Sequence, residues 1–145
     1  MLGNHVIKSW STNQAVLALS SGEAEFYSLV KAGSVVLGIQ ALAADLGVVY
    51  RKAPVIKTDA SAAIGISNRL GIGKIRHIEV NQLWLQDKVA KGVLVIEKVP
   101  TDENLADALT KGVDAATIHK HLEGVGVEIR TDRHHLAPQL EDANE

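Results

Sequence analysis

Three carboxylates stand out by position: Glu25, Asp59 and Asp107. Glu25 falls in the second turn of an expected long helix, one residue before Phe26 on its apolar stripe, so it should border the core instead of facing open water. Asp59 follows the run Pro54-Val55-Ile56-Lys57-Thr58. It should stand at the carboxyl end of a strand, where open α/β sheets place ligands. Asp107 falls on a helix expected over 101–111. The wide separations exclude a local metal loop, so only the fold could bring the three together. Clustered carboxylates repel unless a cation neutralises them. Hard oxygen ligands favour Mg²⁺ or Mn²⁺. Two such ions about 3.5–4 Å apart can activate water and stabilise the leaving oxygen in phosphodiester cleavage.

Plainer roles suit the same residues. Glu23 completes a Ser-x-x-Glu capping box with Ser20. Asp59 is a preferred cap type for a helix starting at Ala60. Asp107 is four residues from both Glu103 and Lys111, the spacing of a solvated ion-pair row. On spacing alone the plainer roles are favoured.

Other chemistries find less support. His119 and His121 are two apart, which puts them on different faces of a helix, and His134-His135 sits in a polar tail. With no cysteine, a zinc site would need His and carboxylates from distant segments. The missing cysteines also exclude a disulfide scaffold, an iron–sulfur cluster and a cysteine nucleophile. Gly71-x-Gly73 lacks the strand–helix frame of a dinucleotide fingerprint, so no dinucleotide cofactor is expected. No Gly-x-Ser-x-Gly elbow anchors a hydrolase triad.

The elements that must position the acids are legible in outline. Residues 5–10 and 14–19 read as short strands joined by the turn Ser11-Thr12-Asn13. A long helix follows over about 22–46, with Phe26, Leu29, Val30, Gly33, Val36 and Leu37 on one stripe and Gly47 as its stop. A strand over 54–58, a short helix over 60–70 and a loop over 71–74 come next. A helix over about 78–90 then carries Val80, Leu83 and Trp84 on one stripe. The apolar run Val93-Leu94-Val95-Ile96 suits a strand buried on both faces. Helices over 101–111 and 114–122 close the pattern. Two strands, then helix, strand, helices, strand and helices predict an α/β domain with a mixed sheet flanked by helices.

Composition sets the bounds. The 145 residues have room for one domain and a sizeable core, and 46% apolar with 22% charged residues are globular values. Aromatics are only 3%, so aliphatic residues must fill that core. Net charge is −2, which argues against indiscriminate binding to a phosphate backbone yet permits a local basic face. No apolar run is expected to reach the roughly 20 residues of a membrane helix, and no signal peptide is visible. Residues 1–125 are expected to form the domain, and 126–145 a polar, loose tail.

Four stretches resemble one family. Ser9-Trp10-Ser11 followed by Leu17-Ala18-Leu19-Ser20-Ser21-Gly22-Glu23-Ala24-Glu25-Phe26 is similar to the "SWSS…ALSSTEAEY" stretch of copia-type retrotransposon Pol polyproteins. Lys57-Thr58-Asp59-Ala60-Ser61-Ala62-Ala63 resembles their "CDNQSA" segment, and Lys74-Ile75-Arg76-His77-Ile78-Glu79 their "RTKHID". Val99-Pro100-Thr101-Asp102-Glu103-Asn104-Leu105-Ala106-Asp107-Ala108-Leu109-Thr110-Lys111 looks like "VPTEEQLADILTK". The matches occur in the family's order and cover about 3–125.

That region of the polyprotein is its ribonuclease H domain. The resemblance implies a ribonuclease H-like mixed sheet and cleavage of the RNA strand of an RNA–DNA hybrid by two divalent ions, Mg²⁺ or Mn²⁺. The family's helix acid falls on Glu25, its strand-end Asp on Asp59 and its late Asp on Asp107, as metal ligands and catalytic groups. Lys74, Arg76 and Lys111 become candidates for contacts to the nucleic-acid backbone. The family's further Asp, in a "SDADWAG"-like segment on the first strand, has no counterpart after Met1-Leu2-Gly3. The first strand and most of the second are therefore expected to be missing, strand edges to be left open, and the chain alone to be inactive or nearly so. Asp59-Ala60-Ser61 in place of Asp-Asn-Gln is a milder departure. The implied setting is intracellular, cytoplasmic or nuclear, with no membrane partner.

Overall fold

The computed structural model describes residues 5–15, 17–71, 73, 83–107 and 112–127. Their elements run α1 (Ser21–Asp45), β1 (Val55–Thr58), α2 (Ser61–Ser67), α3 (Trp84–Ala90), β2 (Val95–Lys98), a 3-10 turn (Thr101–Glu103) and α4 (Ala115–Gly124). The described residues thus mix helices with a two-stranded parallel sheet, as an α/β domain should. They fall into two compact units: Thr12–Asn104, and Met1–Ser11 with Leu105–Glu145.

In the first unit, α1 begins at Ser20, whose Oγ accepts the N–H of Glu23 at 3.2 Å. Glu23 is only 3% exposed, and its carboxylate accepts the N–H of Leu19 at 3.0 Å. The expected capping box is present, reaching back one residue further than usual. Phe26, Leu29 and Val30 are buried at helical spacing and form the core with Ala63, Ile66, Leu85 and Leu94. Gly33 belongs to the same face. A Cβ there would lie 3.0 Å from Leu85 Cδ1 and 3.1 Å from Trp84 Cη2, so its small size admits α3. The helix stops at Gly47, whose φ of 80° suits a residue without Cβ. Gly47 N–H donates to Ala44 O, and Val48 N–H to Ala43 O, satisfying two end carbonyls.

β1 and β2 pair in parallel with Val55 opposite Val95 and Thr58 opposite Lys98. Such a pair requires a long crossover, which α2 and α3 supply. The apolar run 93–96 was expected to be one strand buried on both faces. Instead it is divided. Gly92 takes a φ of 67°, and the N–H groups of Val93 and Leu94 donate to Lys88 O, finishing α3. Leu94 is buried in the core, but Val95 remains 38% exposed. Among the described residues the sheet has no third strand.

Other expectations shift. Among the described residues of 5–19, His5 makes a single bridge and no strand forms. The side chains there are largely exposed, and an isolated hairpin is marginal without a face to pack on. Gln14 instead donates to Ala24 O at 2.7 Å, tying its own part of the chain to α1. The helix expected over 78–90 is seen as Trp84–Ala90, with 74–82 outside the described residues. In the described part of the helix expected over 101–111, a 3-10 turn ends at Glu103, because Asn104 adopts φ −77° and ψ 95°, and 108–111 lie outside the described residues. By length and composition α1 could cross a membrane, with mean hydropathy 1.4 over an 18-residue window. That corrects the expectation that no stretch qualifies. Its N-terminal half nevertheless packs into the core through Phe26, Leu29 and Val30.

In the second unit, Asp114 caps α4 by accepting the N–H of Thr117 at 2.7 Å. Leu105 lies against Gly124, where a Cβ would come within 2.8 Å of Leu105 Cδ2. His121 is buried one turn earlier on the same helix. The expected tail falls mostly outside the described residues.

Candidate functional site

Asp59 follows β1, as predicted, and is half-buried. Its use as a helix cap is excluded. α2 begins at Ser61, its cap Ala60 has no side-chain bond, and the N–H of Ala60 donates to Thr58 Oγ1 at 3.2 Å. Asp59 Oδ1 instead accepts from Asn104 Nδ2 at 3.2 Å. The carboxylate thus stands at a strand end without capping the helix that follows.

Glu25 lies in the second turn of α1 and is exposed, whereas it was expected to border the core. Phe26 turns inward and takes the core position. Glu25 belongs to the same unit as Asp59. The two flank one close approach. Gly22, one turn before Glu25, meets Ala62, three residues after Asp59, at 2.9 Å for a Cβ built on Gly22. The glycine lets the start of α1 close on the start of α2.

Asp107 is half-buried and belongs to the other unit. The extended Asn104 separates it from the 3-10 turn, so the proposed i, i+4 row with Glu103 is not formed by one continuous helix, and the other member of that row, Lys111, lies outside the described residues. Lys74, Arg76 and Lys111 lie outside the described residues.

Carboxylate oxygens are the donor type that suits Mg²⁺ or Mn²⁺. In number they fall short. Among the described residues, no group of three or more His, Asp or Glu is gathered where it could hold a metal ion. The described residues therefore do not make up a two-ion centre.

Sequence reading missed two amides. Asn104 lies within the stretch around Asp107 but carried no chemical signal of its own. Gln86 is 2% exposed and uses its whole amide. Its Nε2 donates to Ile66 O at 2.8 Å and Gly71 O at 3.1 Å, and its Oε1 accepts from Gly71 N–H at 2.8 Å. It clips α3 to the chain leaving α2. The signal available was a polar residue inside an apolar helical stripe.

The chain is similar to three curated polyproteins. It is 30% identical over 127 residues to the retrovirus-related Pol polyprotein from transposon RE1 of Arabidopsis thaliana, a match covering 87% of the chain. It is 33% identical over 107 residues, 72% of the chain, to that from transposon TNT 1-94 of Nicotiana tabacum. It is 30% identical over 127 residues, again 87% of the chain, to that from transposon RE2 of Arabidopsis thaliana. These matches span only 8–9% of the relatives' length. No family model matches, and no solved structure matches. The homologues of this chain are therefore retrotransposon Pol polyproteins, and it corresponds to one short stretch of them.

Proposed function

We propose that the chain is the ribonuclease H-like part of a copia-type Pol polyprotein, the part that cleaves the RNA strand of an RNA–DNA hybrid. The observation carrying this reading is Asp59. It stands at the carboxyl end of a parallel strand, where α/β sheets place their chemistry, and it does not cap the helix that follows. The polyprotein homologues support the same reading. In the intact family site two Mg²⁺ or Mn²⁺ ions would supply the activated water and the stabilisation of the leaving oxygen. Asp59, Glu25 and Asp107 are this chain's contribution of carboxylates. Lys74, Arg76 and Lys111 are the proposed backbone contacts. Recognition would read the shape and 2′-OH groups of the hybrid more than base sequence. The proposed setting is intracellular, cytoplasmic or nuclear, without a membrane or a dinucleotide cofactor.

We further propose that these 145 residues alone are inactive or nearly so. They carry three of the family's four acids, and the described residues gather no group of three. The test is Mg²⁺-dependent cleavage of a labelled hybrid, with Asp59→Asn as control. Robust cleavage by the wild type that Asp59→Asn abolishes would overturn the claim of inactivity.

The same shortage of gathered ligands favours a second reading, a non-catalytic remnant or recruited α/β binding module. It predicts hybrid or protein binding that EDTA leaves unchanged.

A further inference from the structure

We propose that Asn104 is a positioning residue for Asp59, fixing both the carboxylate at the end of β1 and the start of the stretch that leads to Asp107. The inference rests on the ribonuclease reading for its functional meaning, and on geometry for its substance.

The route of the chain makes the bond possible. β1 and β2 continue their ladder one step beyond the strands, where Val99 N–H donates to Thr58 O at 3.0 Å. Pro100 then turns the chain, and the N–H groups of Glu103 and Asn104 close the 3-10 turn onto Pro100 O and Thr101 O. Asn104 leaves that turn in an extended conformation. The single turn therefore returns the Asn104 amide to the residue just past Thr58, and Nδ2 donates to Asp59 Oδ1 at 3.2 Å.

An amide N–H to a carboxylate is a charge-assisted bond, stronger than one between neutral groups. Both residues are half-buried, so water competes only in part. The bond holds one carboxylate oxygen, Oδ1. It also acts at a boundary, since Asn104 ends the larger unit and Leu105 opens the smaller. Asp107 follows three residues after Asn104. One hydrogen bond thus sets the aim of Asp59 and ties down the end of the 3-10 turn.

The test is a double-substitution cycle in the whole chain with two readouts. Amide hydrogen exchange at 103–107 reports the tie, and three-bond couplings report the Asp59 χ1 rotamer. Asn104→Ser and Asp59→Ala are each expected to speed exchange roughly five- to tenfold, the scale of one partly shielded hydrogen bond to a charged group. The double variant should add little to either. Asp59 χ1 should pass from one rotamer to an average in Asn104→Ser, which a merely structural role would not produce. Asp59→Asn keeps an accepting oxygen and should stay within about twofold of wild type. Additive effects in the cycle, or an unchanged Asp59 rotamer in Asn104→Ser, overturn the proposal. The ribonuclease reading fails separately, if a labelled RNA–DNA hybrid titrated into the wild-type chain does not bind.

Discussion

Gly22 and Ala62 stand so close that a Cβ added to Gly22 would lie 2.9 Å from that of Ala62. Real Cβ atoms do not approach so far, and neither group has a flexible end to yield. Gly22→Ala should therefore separate the starts of α1 and α2. Alanine would ordinarily favour the helix by about 1 kcal/mol. Here overpacking, typically about 1–3 kcal/mol, opposes that gain. The expected outcome is a lower urea midpoint for Gly22→Ala, while Gly38→Ala, which meets nothing within 4 Å, raises it.

Gln86 should be among the most sensitive polar positions in the larger unit. It makes three hydrogen bonds to backbone groups while 2% exposed. Gln86→Leu keeps the volume but orphans Ile66 O and both backbone groups of Gly71. An unsatisfied buried group costs about 1–3 kcal/mol. Gln86→Leu should lose about 2–4 kcal/mol in chemical denaturation, and the Gly71 amide should lose its exchange protection.

Asp114 supplies a pH dependence. The backbone N–H of Thr117 and then its hydroxyl hold the Asp114 carboxyl below its ordinary value of 3.8. A depressed folded-state value means the carboxylate stabilises the fold above the unfolded-state value. That contribution is lost as pH falls through the folded-state value. α4 should therefore keep its cap at neutral pH and fray below about pH 4, followed by the Thr117 amide shift. Asp114→Asn, which caps without titrating, should flatten that change.

The capping of α1, the Phe26 stripe and the strand before Asp59 were legible because each depends on neighbours within a few residues. The N-terminal strands were not, because a strand forms only where a partner and a face exist, and residues 5–15 remain mostly exposed. The run 93–96 misled for a local reason. Its first two residues finish α3 through Lys88 O, a role fixed by Gly92 and not by apolarity. At the site, the position of Asp59 was legible, but its partner was not. Asn104 is 45 residues away, and no pattern short of the fold joins them.

The open sheet makes the last prediction. β1 and β2 pair only with each other among the described residues, and Val55 and Val95, opposite one another, are 46% and 38% exposed. An unprotected edge beside exposed branched side chains is a template for pairing with another chain. The chain should associate with rising concentration, seen as a growing weight-average mass in sedimentation. Lysine on an edge opposes such pairing by desolvation and like-charge repulsion. Val55→Lys should shift the curve toward monomer, while Lys57→Val, which removes the charge opposite Glu97, should shift it the other way. Association unchanged by both substitutions would place the contact elsewhere, with the exposed Leu42, Leu46 and Val49 around the end of α1 as the next surface to alter.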